Sequence, residues 1–248
     1  MSEPRFDIIG RDYRRKQKKR AFYELIGNYK HSTPGLNELD TKLASYITAR
    51  LPAKKRFFIE AGANDGFSQS NTYYLARRYA WRGILIEPIP ELATHCQKIR
   101  KDSVVVNCAL GSRADQGSAI QIHRAGLMST VEGALGDHDK QRAHLTRAVE
   151  IQPGIATGVI DAPVRSLSSI IEEHQPNGHI DLLSLDVEGY EVQALSGLDM
   201  SKHRPTFICV EANDPDAISQ ALDDHYTLVA ELSYHDRLYQ SKDSLGAD

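Results

Sequence analysis

The chain has 248 residues, 41% hydrophobic and 25% charged, which fits a single globular domain with a sizeable core. No apolar run approaches the roughly 18–20 residues that a membrane-spanning helix needs, and no apolar segment follows the N-terminal charges as it would in a secretory signal. Three scattered cysteines, Cys96, Cys108 and Cys209, are too few for a disulfide framework or a cysteine-based zinc site. The expectation is a reduced, soluble, cytoplasmic protein with no membrane span.

The net charge of −3 is unevenly spread. Residues 1–30 carry nine Lys/Arg against four Asp/Glu, and the remaining 218 residues carry 21 against 29. Seven of the basic side chains fall in RDYRRKQKKR, residues 11–20. The run reads as a solvated leading helix whose charges repel and point outward; a grip on RNA, an acidic lipid surface or a partner is its other use. The acidic remainder argues against a broad nucleic-acid surface.

Residues 1–55 read as a helical, basic N-terminal extension to a main domain over 56–248. FFIEA (57–61) is a buried-strand pattern, followed by a glycine-containing turn and a helical pattern near 70–79. GILIE (83–87) is the second strand, with a helix after Pro88 to about residue 100, and SVVVNCAL (103–110) is the third. Residues 112–160, rich in Gly, His and mixed charge, interrupt the alternation as a long insertion of the kind that is usually functional. DLLSLDV (181–187) and PTFICVE (205–211) are further buried strands ending at acids, and TLVAEL (227–232) with RLYQ (237–240) reads as a closing pair. Continuous apolar strands separated by helices predict a doubly wound α/β fold with a largely parallel sheet.

The turn after the first strand, E-x-G-x-x-x-G in FIEAGANDG, differs from the G-x-G-x-x-G of pyrophosphate-binding folds. Glu60 and Asp65 would repel a phosphate and would suit a ligand carrying an ammonium and a sulfonium, as S-adenosylmethionine (SAM) does. Glu87, 25 residues after Gly62, ends the second strand where a carboxylate can accept hydrogen bonds from ribose hydroxyls. Asn107, Ala109 and Leu110 after the third strand are placed to border an adenine ring. On the fourth strand, LLSLDVEGYE (182–191) brings Asp186, Glu188 and Glu191 close together, where they repel unless a cation, donors or protons compensate. Glu191, early in a helix, has a structural reading as a partner of the helix dipole. Asp186 is a candidate to hold the methionine end of the cofactor, to orient an acceptor or to act as general base, and with Glu211 to bind Mg²⁺ through oxygens. His123, His138, His144 and His235 are read as surface or structural histidines that could serve as a base near neutral pH. GLMST (126–130) offers hydroxyls for acceptor or metal contacts.

Together, FIEAGANDG (58–66), GILIEPIP (83–90), NCALG (107–111), VRSLSSIIEE (164–173), IDLLSLDVEGYEVQALSGL (180–198) and FICVE (207–211) resemble the FkbM family of SAM-dependent methyltransferases over roughly residues 55–240. The resemblance implies a class I methyltransferase fold of seven strands with one reversed in the closing hairpin. It also implies O-methylation of a hydroxyl, often on a sugar or another secondary metabolite. Carried over, Glu60, Gly62, Asn64, Asp65 and Gly66 form the SAM loop, Glu87 holds the ribose, and Asp186 and Glu188 line the reaction centre. The rivals are a nucleic-acid methyltransferase gripping phosphates with the basic arm, disfavoured because no N-P-P-Y motif is present, and a non-catalytic SAM-binding module. The acceptor and the oligomeric state, a homo-oligomer included, stay open.

Overall fold

The computed structural model describes residues 11–51, 56–175 and 178–245. The stretch before the first strand is helical, with α1 (Arg11–Leu25) and α2 (Leu39–Thr48); residues 1–10 and 52–55 of the expected extension lie outside the described residues. Then β1 (Phe57–Ala61), α3 (Tyr73–Tyr79), β2 (Arg82–Ile86), α4 (Pro90–Ile99) and β3 (Val104–Val106) alternate. They are followed by β4 (Ala109–Leu110), β5 (Ala119–Ala125), β6 (Thr130–Val131), α5 (His138–Ile151) and β7 (Thr157–Arg165). The chain then forms α6 (Leu167–His174), β8 (Leu182–Leu185), α7 (Glu191–Ser196), β9 (Phe207–Glu211), α8 (Pro215–Leu222), β10 (Tyr226–Glu231) and β11 (Asp236–Ser241). Among the described residues, no helix is long and apolar enough to cross a membrane.

Seven strands make one sheet in the order β10-β11-β9-β8-β1-β2-β3. β1 runs parallel to β2 and β8, β2 to β3 and β8 to β9, while β11 is antiparallel to both its neighbours. This is the class I methyltransferase arrangement, reversed strand included. Strand order changes direction between β1 and β8, which opens a crevice at their carboxyl ends, the place where open α/β sheets take ligands.

The alternation of side chains along each strand divides the core. Ile59 and Ala61 of β1 pack with Ile84, Ile86, Leu183 and Leu185 on the face covered by α6, α7 and α8. Phe58, Leu85 and Leu182 point the other way, toward α2, α3 and Trp81. α2 therefore belongs to the core layer. α2 buries Leu39, Leu43, Ala44 and Ile47, one stripe at helical spacing. Leu43 is fully buried, so Leu43→Ala is expected to cost about 2–5 kcal/mol of stability, read by denaturant unfolding.

Three expectations need correction. The third strand, expected over 103–110, splits: the Asn107 side chain turns back and donates to the carbonyls of Glu87 (2.8 Å) and Pro88 (3.0 Å), and the chain leaves the main sheet there. The long insertion expected at 112–160 carries strands of its own: β5, β6 and β7 join β4 in a second sheet of order β4-β7-β5-β6. The proposed end at residue 160 falls inside β7. The basic run is also more than a solvated helix. Tyr13 donates to Asp65 Oδ2 (2.7 Å), Glu24 accepts from Tyr73 (2.9 Å), and the Arg20 guanidinium stacks over Phe67 and Tyr73. Arg15, Lys16, Lys18 and Lys19 face outward as expected.

Candidate active site

A cavity lies at the carboxyl ends of β1, β2 and β8, the place where open α/β sheets take ligands. Ala61, Gly62 and Asn64 form its floor beside Glu87, and Cys108, Ala109 and Leu110 line another part. Asp186, Val187, Glu188 and Tyr190 line it after β8. The second sheet contributes Ile122, Gly126, Leu127, Ser129 and Val131. Three of its lining residues, Asn64, Gln69 and Glu188, hold left-handed backbone conformations (φ 48°, 56° and 54°) that non-glycine residues seldom adopt. Thr130 Oγ1 donates to the Glu188 carbonyl (2.8 Å) and so fixes one of these turns from the second sheet.

Gly62 joins the two acidic motifs. Its φ is +80°, and a Cβ there would lie 1.8 Å from the Asp186 carbonyl oxygen, while its N–H donates to the Ile86 carbonyl (3.1 Å). The floor is therefore a three-way backbone contact between the ends of β1, β2 and β8, with no room for a side chain. Gly62→Ala must push that backbone apart. The expected result is a cavity that no longer closes and a drop in melting temperature of several degrees, read by thermal unfolding.

Glu87 is buried, and its carboxylate spans the first turn: Asn64 N–H donates to Oε2 (2.8 Å) and Ile89 N–H to Oε1 (2.9 Å). Burial pushes its carboxyl up to about 7, and the Asp65 charge adds to this against the two N–H donors. Each oxygen keeps a second lone pair for a ligand hydroxyl.

Other members of the expected cofactor set work behind the cavity wall. Glu60 points to the α3–α4 side, where it accepts from Ser70 Oγ (2.9 Å), Asn71 N–H (2.8 Å) and Thr72 Oγ1 (2.6 Å) and pairs with buried Arg100 (3.4 Å). Arg100 in turn donates to the Gly66 carbonyl (3.2 Å) and Thr72 Oγ1 (2.9 Å), so this pair staples the loop from below. Asp65 accepts from Phe67 N–H (2.8 Å) and Ser68 N–H (2.6 Å) and from Tyr13. Gly66 (φ +82°) packs against Cys96. The side chains of Glu60 and Asp65 are thus committed to loop architecture rather than presented to a ligand, and the Asn107 amide is spent on two carbonyls. Strand alternation is the reason for Glu60: it shares the face of Phe58, opposite to Ala61.

Asp186, Glu191 and Glu211 place carboxylate oxygens within 4.8 Å of one another. Burial, then the Glu211 and Asp236 charges and the close approach of Glu211, hold the Asp186 carboxyl well above its ordinary range, and burial raises Glu211 beside it, so the two carboxyls are placed to share a proton. Glu211 stands just behind the cavity wall. Burial also raises Glu188, with Asp186 and Glu211 adding like charge. Glu191 accepts from Val187 N–H (3.0 Å) and Gly189 N–H (3.1 Å), and burial pushes it up to about 7. Beyond the helix-end role expected for it, Glu191 ties the turn that presents Asp186 and Glu188, and it completes the carboxylate trio.

Of the histidines, His144 Nε2 lies 2.9 Å from the Met128 carbonyl and 3.7 Å from Glu188 Oε2, at the edge of the site. His235 Nε2 is 3.8 Å from Glu211 Oε1. His123 and His138 gather around Glu132 on the second sheet, away from the cavity. Sequence reasoning missed Cys108, Tyr190 and Ile122 as lining residues; the alternation of Ile120 and Ile122 was the available signal for a strand there. The GLMST segment does reach the cavity, through Gly126, Leu127 and Ser129.

Residues 60–240 match the family model described as the methyltransferase FkbM domain. A methyltransferase of Sordaria araneosa, sdnD, is 27% identical over 181 residues, covering 62% of this chain and 64% of that relative, so the chain spans less than two thirds of its length. A solved FkbM methyltransferase from Methylobacillus flagellatus KT is 16% identical, with 75% of this chain and 43% of that one covered and a TM-score of 0.43. The magnesium protoporphyrin IX methyltransferase of Synechocystis PCC 6803, solved with SAM, is 12% identical, with coverages of 91% and 95% and a TM-score of 0.41. With the family model matching well over half of its length, the chain belongs to the FkbM methyltransferase family.

Proposed function

We propose that the cavity binds SAM and that the protein transfers its methyl group to a hydroxyl oxygen of a small molecule, a sugar or another secondary metabolite. The observation that carries this reading is Glu87, a buried carboxylate at the end of β2, facing the same cavity as Asp186 and Glu188. Glu87 would accept from the ribose hydroxyls, the apolar wall of Cys108, Ala109 and Leu110 would take the adenine, and the acids after β8 would favour the ammonium and sulfonium. Gly62 and Asn64 shape the floor, while Glu60, Asp65, Gly66 and Asn107 hold it in place.

Methyl transfer is an in-line displacement, so the protein's main work is to hold the acceptor oxygen in line with the methyl and exclude water. An alkyl hydroxyl must also lose its proton, and Asp186 would take it as general base. The Asp186–Glu211 pair shares one proton, so the base is formed when the pair gives that proton up. A cationic cofactor beside it favours this, and His235 next to Glu211 offers the way out. A divalent cation on Asp186, Glu191 and Glu211 is the second version of the step. Three converging carboxylates are a fitting hard-oxygen set, and when bound the ion would polarise the acceptor hydroxyl.

The test is transfer of labelled methyl from SAM to a panel of sugars and hydroxylated metabolites, with and without EDTA. Labelled acceptor with EDTA present supports the base version, and activity lost with EDTA and restored by Mg²⁺ supports the cation version. SAM binding with no transfer to any hydroxyl points to a non-catalytic binding module.

A further inference from the structure

The basic run and its surroundings are not used by the proposed reaction. A groove of about 2050 Å³, counting its open mouth, is lined by residues of α1, α3 and α4 and shares no lining residue with the cofactor cavity. Seven Lys/Arg line it against two acids, Glu24 and Asp102. Glu24 is already engaged by Arg77 (3.0 Å), and Arg100 by Glu60. Among the described residues, Lys18, Arg82, Lys98 and Lys101 on the rim have no ion-pair partner, so the groove holds an excess of positive charge.

Its interior carries a second, independent signal. Both polar atoms of the Gln17 amide, Nε and Nη1 of Arg20, and Nε2 of His95 are buried without a hydrogen-bond partner among the described residues, and all three side chains line this groove. Arg20 Nη1 has only a 3.8 Å ion pair with Glu24, beyond hydrogen-bond reach. Buried polar groups are nearly always satisfied, so a cluster of orphans in one cleft points to something that fills it. The orphans are mostly donors under a cationic rim. The matching ligand is rich in acceptor oxygens and multiply negative, which is the chemistry of a phosphate chain.

We infer that this groove is a binding site for one small polyphosphate anion, free or carried on a nucleotide. An extended nucleic acid fits less well, because the cations converge on a bounded cleft and the chain beyond residue 30 is acidic. The site is distinct from the cofactor cavity, whose proposed ligand carries no phosphate, so it stands or falls independently of the methyl-transfer reading.

The experiment is calorimetric titration of sodium tripolyphosphate, and separately of ATP without magnesium, into the full chain at low salt. One saturable site of micromolar affinity is expected. Lys98→Glu/Lys101→Glu should weaken it at least about tenfold with no change in melting temperature, since both side chains are exposed. Gln17→Leu should weaken it from the inside. Tighter binding of ATP would assign the nucleotide form, and equal affinity the free anion. The inference is overturned if neither probe saturates by millimolar concentration, or if both variants bind like the wild type. A short single-stranded RNA that displaces tripolyphosphate with a steep, multi-phosphate salt dependence would also overturn it.

Discussion

Glu87→Gln is expected to weaken SAM binding about 10–100-fold, the range for losing charged hydrogen bonds worth roughly 1.5–3 kcal/mol. The pH dependence separates this carboxylate from its acidic neighbours. Its carboxyl sits at about 7 instead of 4.5 because burial disfavours the charge. A folded value above the unfolded one means that Glu87 contributes stability at low pH, and that this contribution is lost as pH rises through about 7. Cofactor binding runs the opposite way, because ribose hydroxyls and a cationic ligand call for the ionised form. Wild-type affinity for SAM should therefore rise about tenfold between about pH 6 and 8, the response of one proton near 7, and the rise should flatten in Glu87→Gln. Glutamine accepts through one atom only, so either Asn64 or Ile89 N–H loses its partner. The melting temperature of the ligand-free variant records that cost separately. A variant that binds SAM like the wild type would remove the main support for the cofactor assignment.

Asp186→Asn is expected to lower kcat about 10²–10⁴-fold, the usual contribution of a general base, while SAM affinity changes little. The substitution is nearly isosteric and keeps a donor toward Glu211, so the fold should survive it. What disappears is a group that can take the acceptor's proton. The split between constants is decisive: a fall in kcat with the SAM constant held assigns the base. Loss of SAM affinity with kcat retained assigns Asp186 to the methionine end of the cofactor instead. Because the base must give up the proton it shares with Glu211, wild-type kcat should also rise with pH over the range where the pair ionises, and the asparagine variant should not follow.

The main sheet and the positions of the acids along it are legible in the chain's apolar runs. Apolar strands such as FFIEA and GILIE, with nothing but apolar residues before their final acids, demand cover on both faces, and that requirement alone fixes a doubly wound sheet. The placement of Glu87, Asp186 and Glu188 at strand ends follows from where those runs stop, and the structure turns all three toward one cavity. Side-chain direction beyond the last strand residue depends on the turn. Nothing local in EAGANDG shows that Glu60 falls on the Phe58 face and meets Arg100, forty residues away. Asn107 reads as a cavity residue until the carbonyls of Glu87 and Pro88 are in place to capture it.

The second sheet was hidden for a different reason. In AIQIHRA only Ile122 and Ala125 are buried and in TGVIDAPVR only Ala162 and Val164, so exposed charge and glycine mask the period of two. Its contribution to the cavity, Ile122, Leu127 and Ser129, therefore emerges only when β5 and β6 are packed over the strand ends. The same holds for the carboxylate trio. Asp186 and Glu191 are neighbours in sequence, but Glu211 reaches them because β8 and β9 pair in register, and burial then raises all three carboxyls above their ordinary range.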